Sequence, residues 1–250
     1  MSKLLAAIAV AALCTAAAPR PADACSCIGP RTYVLPNGAA AGTNTHLFVF
    51  IPESRFGENM SPFALRLKGT KVRIDVDEKS SVSATQRIVE IIPRAVLKAK
   101  ADYELVDAAN NVVAAFLTGD RPDPAPGAWK GVARAEYLRH KHAGGGSCRT
   151  GSPFVRVTLA ESAGEAGQLY GVWVAGSDGK IDYTVPPATY DFIGGAELEL
   201  GTTSICSSRS FEIPKRDSMK LGLRRVSLSG VASAPSEVTV DLRRPTEIGR

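Results

Sequence analysis

Residues 119–127 read GDRPDPAPG and carry prolines at the alternate positions 122, 124 and 126. Proline holds φ at about −65° and has no backbone N–H to donate, so such a stretch favours an extended, polyproline-like chain and cannot be a central β-strand. Apolar and alternating runs lie on both sides of it. We therefore predict that residues 121–127 form a stiff linker between two folded units.

The runs that flank this linker predict short β-strands. In the last of them, VTVDL, the apolar Val238, Val240 and Leu242 lie on one face of an extended chain. Helical spacing is scarce, and residues 94–104 are the one stretch that allows a short turn of helix. The predicted strands are residues 46–51, 63–67, 71–76, 86–92, 103–108 and 112–118 before the linker, and 129–139, 154–159, 169–175, 189–193, 197–200, 221–228 and 238–242 after it.

Each of the two sets of strands fits one β-sandwich. A half-apolar strand needs a second sheet to cover its inner face, and antiparallel sandwiches provide this cover with short loops. We therefore predict an all-β protein of two tandem antiparallel β-sandwiches, at residues 36–120 and 128–245, each closing over its own apolar interior. One large barrel is the alternative, and the three prolines count against it.

The first 24 residues have the features of an export signal. Lys3 gives a positive start, residues 4–18 are apolar, and residues 22–24 (ADA) place small side chains at a cleavage site. The apolar run is shorter than the roughly 20 residues that a membrane-spanning helix needs. We predict a signal peptide at 1–24, a cysteine-containing segment at 25–35, no transmembrane span, and a secreted, periplasmic or envelope location.

Composition and charge exclude two broad classes of protein. Hydrophobic residues make up 44% of the chain and charged residues 22%, which excludes a wholly disordered chain. The formal net charge is +5, but the basic residues are scattered, with Arg224-Arg225 and Arg243-Arg244 as the densest pairs. Nucleic-acid binding needs a continuous basic stripe, so we predict no nucleic-acid partner.

The sequence contains no catalytic or phosphate-binding motif of the kinds Gly-x-Ser-x-Gly, His-Glu-x-x-His or Gly-rich loop followed by Lys-Ser/Thr. His140 and His142 with Cys148 come closest to a metal site, but no carboxylate or third histidine lies near them. The acidic residues at 75–78 and at 178–182 match no twelve-residue calcium loop. We predict that the chain is not an enzyme and has no catalytic residue, metal site or cofactor.

Residues 31–120 resemble the bacterial Ig-like domains of surface-layer and secreted repeat proteins. The resemblance rests on PNG at 36–38, on Tyr103 and on the turn at 107–111. The family's turn reads Asp-x-x-Gly-Asn, whereas this chain has Asn110 in place of the glycine, and Asn tolerates positive φ better than most residues. The resemblance implies an Ig-like sandwich without a catalytic motif.

The second set of strands resembles a fibronectin type III-like module. Residues 233–237 (SAPSE) before the VTVDL strand are similar to the last hairpin of such modules. The whole layout also resembles exported myxobacterial-type proteins that begin Ala-Cys-Ser-Cys, here residues 24–27, and continue into an Ig-like domain. No defined activity comes with that resemblance.

Four cysteines follow the predicted signal peptide, namely Cys25, Cys27, Cys148 and Cys206, and an even number in an exported chain indicates two disulfides with three connectivities. Ig-type topology puts the loops that hold Cys148 and Cys206 at the same end of a sandwich, so this is the preferred pair and closes a loop of roughly 60 residues. Cys25 and Cys27 are so close in sequence that a bridge between them would be strained. Crossed pairing, lipidation of Cys25 and an intermolecular bond stay open.

These observations together predict an exported, non-enzymatic Ig-like protein with an adhesion, scaffolding or binding role at the cell envelope. Its partner would be a protein or a cell-surface glycan, bound by loops on a rigid sandwich or by an exposed sheet edge. One alternative is a secreted protease inhibitor, because Cys25-Ser26-Cys27 resembles the start of the tissue inhibitors of metalloproteinases. An uncharacterised hydrolase is the other.

Overall fold

The computed structural model describes residues 32–38, 40–52, 55, 57, 60–82, 86–141, 151–162, 168–201 and 211–249. Within these ranges the chain consists of strands, turns and extended connections, with no α-helix, so the predicted all-β class is confirmed. Residues 94–104, whose spacing allows a short helix, instead form turns that lead into a strand at Asp102–Val106.

The strands before the linker form two sheets. Sheet 1 has the order β1-β3-β7-β6 and sheet 2 the order β2-β9-β8-β4-β5. Neighbouring strands pair antiparallel, except that β2 runs parallel to β9. The strands are β1 Tyr33–Leu35, β2 Ala40–Ala41, β3 Leu47–Pro52, β4 Ala64–Leu67, β5 Arg73–Ile74, β6 Val76–Val82, β7 Gln86–Pro93, β8 Asp102–Val106 and β9 Val112–Thr118.

The strands after the linker form sheets 3 and 4. Sheet 3 has the order β14-β11-β10-β17, in which β17 runs parallel to β10, and sheet 4 has the order β13-β12-β15-β16. β1 lies ahead of residue 36, the expected start of the first sandwich, and β17 lies past residue 245, the expected end of the second. The strands are β10 Val132–His140, β11 Pro153–Leu159, β12 Gln168–Val174, β13 Thr189–Ile193, β14 Glu197–Gly201, β15 Ser218–Val226, β16 Ser236–Asp241 and β17 Thr246–Ile248.

Each pair of sheets encloses an apolar core. Leu47 and Val49 of sheet 1 pack with Leu105 and Phe116 of sheet 2, and all four are at most 3% exposed. A second core lies between sheets 3 and 4 and contains Val155, Val157, Leu198, Met219 and Leu221. Because side chains alternate along a strand, these inward residues are separated by residues on the outer faces.

A third apolar cluster joins the two sandwiches and corrects the expectation that each unit closes only over its own interior. The outer face of sheet 1 supplies Leu35, Phe48, Phe50 and Ile88, and sheet 4 supplies Leu169 and Val226, with Tyr190 and Phe192 packed beside them. All six residues of β3 are buried, so this strand is apolar on both faces. We call this set the interface cluster.

The proline-rich stretch forms no strand and is attached to the first sandwich. The Asp123 backbone N–H donates to Asn44 Oδ1 over 2.6 Å, and the Gly42 N–H donates to Asp123 Oδ1 over 2.9 Å. A Cβ at Gly42 would overlap the Asp123 backbone, so only glycine permits this approach. The stretch is therefore pinned at its middle.

The turn between β8 and β9 has the conformation that the sequence predicts. Asn110 has a φ of 65°, in the left-handed region where Asn replaces Gly at least cost. Its N–H donates to the Asp107 carbonyl over 2.9 Å, and the Asn111 N–H donates to Asp107 Oδ1 over 2.8 Å. The Asp side chain thus closes the turn.

Candidate binding cleft

A cleft of about 560 Å³ opens between sheets 1 and 4, next to the interface cluster. One wall comes from β6 and β7 and includes Lys79 and Glu90. The other comes from β12, β15 and the loop before β13, and includes Trp173, Tyr183 and Arg224. We call it the junction cleft, because neither sandwich forms it alone.

Two strand glycines allow aromatic rings to lie against sheet 4. A Cβ at Gly171 in β12 would lie 2.8 Å from the Trp173 ring. A Cβ at Gly222 in β15 would overlap the Tyr183 hydroxyl. The Trp173 and Tyr183 rings are 5.4 Å apart at an interplanar angle of 59°. Trp173 Nε1–H donates to the Val185 carbonyl over 2.9 Å, which holds the loop before β13 against the sheet.

Arg224 lies on this aromatic pair. Its guanidinium carbon is 4.4 Å from the centre of the Tyr183 ring and 5.8 Å from that of Trp173, a cation–π arrangement. Its Nε is buried without a hydrogen-bond partner. Within the described part of the chain, neither Arg224 nor Lys79 on the facing wall forms an ion pair.

The two tyrosines of the cleft keep their protons at neutral pH. Burial, and then the charge of Glu237 and a 3.2 Å hydrogen bond to it, raise the pKa of Tyr183 to about 12. Burial and, to a smaller extent, the charge of Glu90 raise the pKa of Tyr190. A hydrogen bond from Lys220 lowers the pKa of Glu237. Of the two phenols, Tyr183 already donates its proton to Glu237, and the Tyr190 hydroxyl has no hydrogen-bond partner within the described residues.

Polar contacts reinforce the junction at one end of the cleft. His46 Nδ1 lies 2.7 Å from Glu90 Oε1, and the His46 backbone N–H donates to the Leu228 carbonyl over 2.6 Å. Gly230 faces the His46 ring, and a Cβ there would come within 2.5 Å of it. His46 thus connects the first sandwich to the turn after β15.

A second cleft, of about 620 Å³, lies on the other side of the interface cluster, under the proline-rich stretch. Its arginine, Arg225, is already bonded to Gln168 over 2.9 Å and lies 3.6 Å from Glu161. The junction cleft is therefore the better candidate for a charged ligand, because its cations are not paired.

Of the residues that the sequence puts forward for metal binding, His140 and the acidic residues at 75–78 and 178–182 lie within the described ranges. His140 is not in a loop but ends β10, where it is 7% exposed and stacks on Phe154 at 4.8 Å. Asp77 pairs with Arg94 over 2.6 Å, Glu78 accepts from the Phe63 N–H, and Asp182 accepts from Thr184. The described ranges hold no group of three or more metal-ligating side chains.

Several predicted features lie outside the described residues. These are the signal peptide, Cys25, Cys27, Cys148, Cys206 and His142. The described flanks of two cysteine-bearing segments are neighbours: Gly201 pairs with Phe154 and Arg139 with Pro153, at one end of sheet 3. In the part of the chain that is described, no helix is long and apolar enough to cross a membrane.

Trp129 follows the linker and packs against the second sandwich. Its ring centre is 5.6 Å from that of Tyr170, and its Nε1–H donates to the Ala234 carbonyl over 3.0 Å. It borders the core between sheets 3 and 4, so its packing role is within the second sandwich.

Two strand glycines in the sequence are a signal for the junction cleft. Glycine inside a strand marks a close approach of another group, and both LYGVWV and LGLRRV contain one. Which ring would fill each space depends on the loop before β13, whose course no local pattern gives.

No protein-family model matches this chain, and no curated protein matches it. Among solved structures, it is similar to the pullulanase type I from Bacillus subtilis str. 168 complexed with maltose, at 10% identity over 84% of this chain and 25% of that one, with a TM-score of 0.28. It is also similar to the tandem Ig repeats of Dlar, at 15% identity, 86% and 100% coverage and a TM-score of 0.25.

The fibronectin(III)-like modules of CbhA from Clostridium thermocellum are similar at 9% identity, over 87% of this chain and 95% of that one, with a TM-score of 0.21. The chain spans about a quarter of the length of the pullulanase. The structural neighbours thus include Ig-like and fibronectin(III)-like modules at low identity.

Proposed function

We propose that this chain is an exported, non-enzymatic binding or scaffolding protein of the cell envelope. The interface cluster carries the proposal. Phe48 and Leu169 are at most 2% exposed, so the cluster buries a continuous apolar surface between the two sandwiches. Inter-domain contacts of this apolar kind oppose relative domain motion, and a protein built in this way presents its surfaces at fixed separations.

The junction cleft gives the proposed protein a place to hold a partner. A cation stacked on aromatic rings, with protonated phenols beside it, is suited to holding a ligand in one orientation. An envelope partner, either a protein or a cell-surface glycan, fits the export signal expected at residues 1–24. Lipidation of Cys25 would add an anchor to the same role.

The proposal is tested by co-sedimentation with washed envelopes of cells that express the chain. We expect the purified, exported protein to co-sediment saturably and to be displaced by an excess of its own unlabelled form. A chain that stays in the supernatant at all protein concentrations contradicts the proposal. Bovine serum albumin at equal concentration controls for trapping.

A further inference from the structure

We infer that the junction cleft binds a short saccharide that carries a carboxylate, with Arg224 as its main anchor. The inference rests on the binding role proposed above and gives it a ligand class. It is carried by three observations on the cleft, which concern charge, hydroxyl groups and the adjoining sheet edge.

Arg224 gives the cleft a cation that has no carboxylate partner within the described residues. Its guanidinium carbon lies 4.4 Å from the centre of the Tyr183 ring, and its Nε is buried without a hydrogen-bond partner. Planar guanidinium donors of this kind match a carboxylate with two parallel hydrogen bonds. Lys79 adds a second cation from the facing wall, where the Glu90 carboxylate is its cross-strand neighbour and lies 2.7 Å from His46 Nδ1. An acidic group of the ligand would therefore pair first with Arg224.

The remaining polar groups of the cleft suit a polyhydroxylated ligand. Ser80 and Tyr190 line the cleft, and their hydroxyls have no hydrogen-bond partner within the described residues. Thr184 also lines it, and its hydroxyl, which donates to Asp182, still has lone pairs to offer. Sugar hydroxyls both donate and accept, so they pair with all three. The volume of about 560 Å³ is typical of small-ligand sites.

The adjoining sheet edge disfavours an acidic peptide. β6 is the edge strand of sheet 1. Val76 of β6 is paired with Pro93 of β7, and Pro93 has no N–H, so this pair is not hydrogen-bonded. Because hydrogen-bonded and non-hydrogen-bonded pairs alternate, the backbone groups of Val76, Glu78 and Ser80 face away from β7. The edge carries the exposed charges of Asp77, Glu78 and Lys79 in succession, a pattern that opposes strand addition.

Isothermal titration of the exported full chain with trigalacturonate tests the inference. We expect saturable binding, and binding of the neutral trisaccharide maltotriose at least about 10-fold weaker, because it has no carboxylate for Arg224. Arg224→Gln should weaken trigalacturonate binding at least about 10-fold. Lys79→Gln, at an exposed position that leaves folding intact, should weaken it about 3-fold.

Arg134→Gln is the matched control, since Arg134 is an exposed arginine of β10 remote from the cleft; it should bind as the wild type does. Thermal melting of each variant checks folding. Equal weakening by Arg134→Gln and Arg224→Gln, or tighter binding of hexaglutamate than of trigalacturonate, overturns the inference. So does an absence of trigalacturonate binding.

The same variants separate this inference from the proposed function. If Arg224→Gln and the wild type co-sediment equally with envelopes while neither binds trigalacturonate, the cleft assignment fails and the envelope role stands. If the wild type does not co-sediment, the envelope role fails by itself, whatever the titration shows.

Discussion

The Phe48 ring of β3 lies 5.2 Å from the Tyr190 ring of β13, centre to centre, across the junction of the two sandwiches. Phe48 is 0% exposed, although it is on the outer face of its own sandwich. The burial of this side chain therefore depends on the second sandwich, and the two sandwiches should unfold as one unit.

We expect Phe48→Ala to lower the free energy of unfolding by about 3–5 kcal/mol, the usual cost of truncating a buried Phe, and to uncouple the sandwiches. The two tryptophans, Trp129 and Trp173, both belong to the second sandwich. Fluorescence and far-UV circular dichroism should give coincident urea transitions for the wild type and separate ones for the variant.

Phe116→Ala is the control for that experiment, because Phe116 is equally buried in the core between sheets 1 and 2 and does not touch the second sandwich core. It should destabilise by a similar amount. Coincident transitions for Phe48→Ala, with a loss below about 1 kcal/mol, would show that the interface does not couple the sandwiches.

Gly222→Ala should displace Tyr183, because the added Cβ would overlap its hydroxyl. We expect a loss of about 1–3 kcal/mol, typical of overpacking, and a changed near-UV circular dichroism spectrum. Gly195→Ala is the matched control: its Cβ would meet no atom within 4 Å, and its stability should stay within about 0.5 kcal/mol of the wild type. An unchanged spectrum for Gly222→Ala would contradict the close packing.

Stability should fall as the pH rises above about 10. The pKa values of Tyr183 and Tyr190 are raised in the folded state, that of Tyr183 to about 12. Between about pH 10 and 12 the unfolded chain has lost these protons while the folded chain keeps them, so the folded state is progressively disfavoured. Below pH 10 the stabilisation is fully present.

Urea unfolding at pH 9 and pH 11 measures this effect. The decrease between the two values should be smaller for Tyr190→Phe than for the wild type, since phenylalanine has no proton to lose. An equal decrease in both proteins would show that Tyr190 is not responsible.

Cys148 and Cys206 should form a disulfide in the exported protein. The described residues that flank both segments pair at one end of sheet 3, which supports the pairing that the sequence favours. Peptide mapping without reduction should recover the two cysteines in one linked fragment. Cys148→Ser should cost about 2–4 kcal/mol, and a pairing of Cys148 with Cys25 or Cys27 would contradict the prediction.

Alternation of apolar and polar residues predicted those strands that have one buried face. FVRVTL and VTVDL appear in the structure as β11 and β16 within a residue or two of the expected bounds. The same reasoning missed β6, whose sequence VDEKSSV is mostly exposed, because an edge strand is held by backbone pairing and needs no apolar pattern.

The interface cluster could have been inferred from one segment of the sequence. LFVFIP in β3 is apolar throughout, and a strand apolar on both faces must be covered twice. The surface that covers this strand could not have been inferred, since Leu169 and Val226 are more than fifty positions apart in the sequence and only the completed sheet 4 brings them together. The pairing of Arg224 with Tyr183 is equally non-local.

The interface cluster joins the two sandwiches directly, and the hydrogen bond between Gly42 and Asp123 fixes the proline-rich stretch to the first of them. A hinge motion would have to break the interface cluster. A ligand that enters the junction cleft thus meets a preorganised site. Its residence time would be governed by the contacts that it makes rather than by a movement of the two sandwiches.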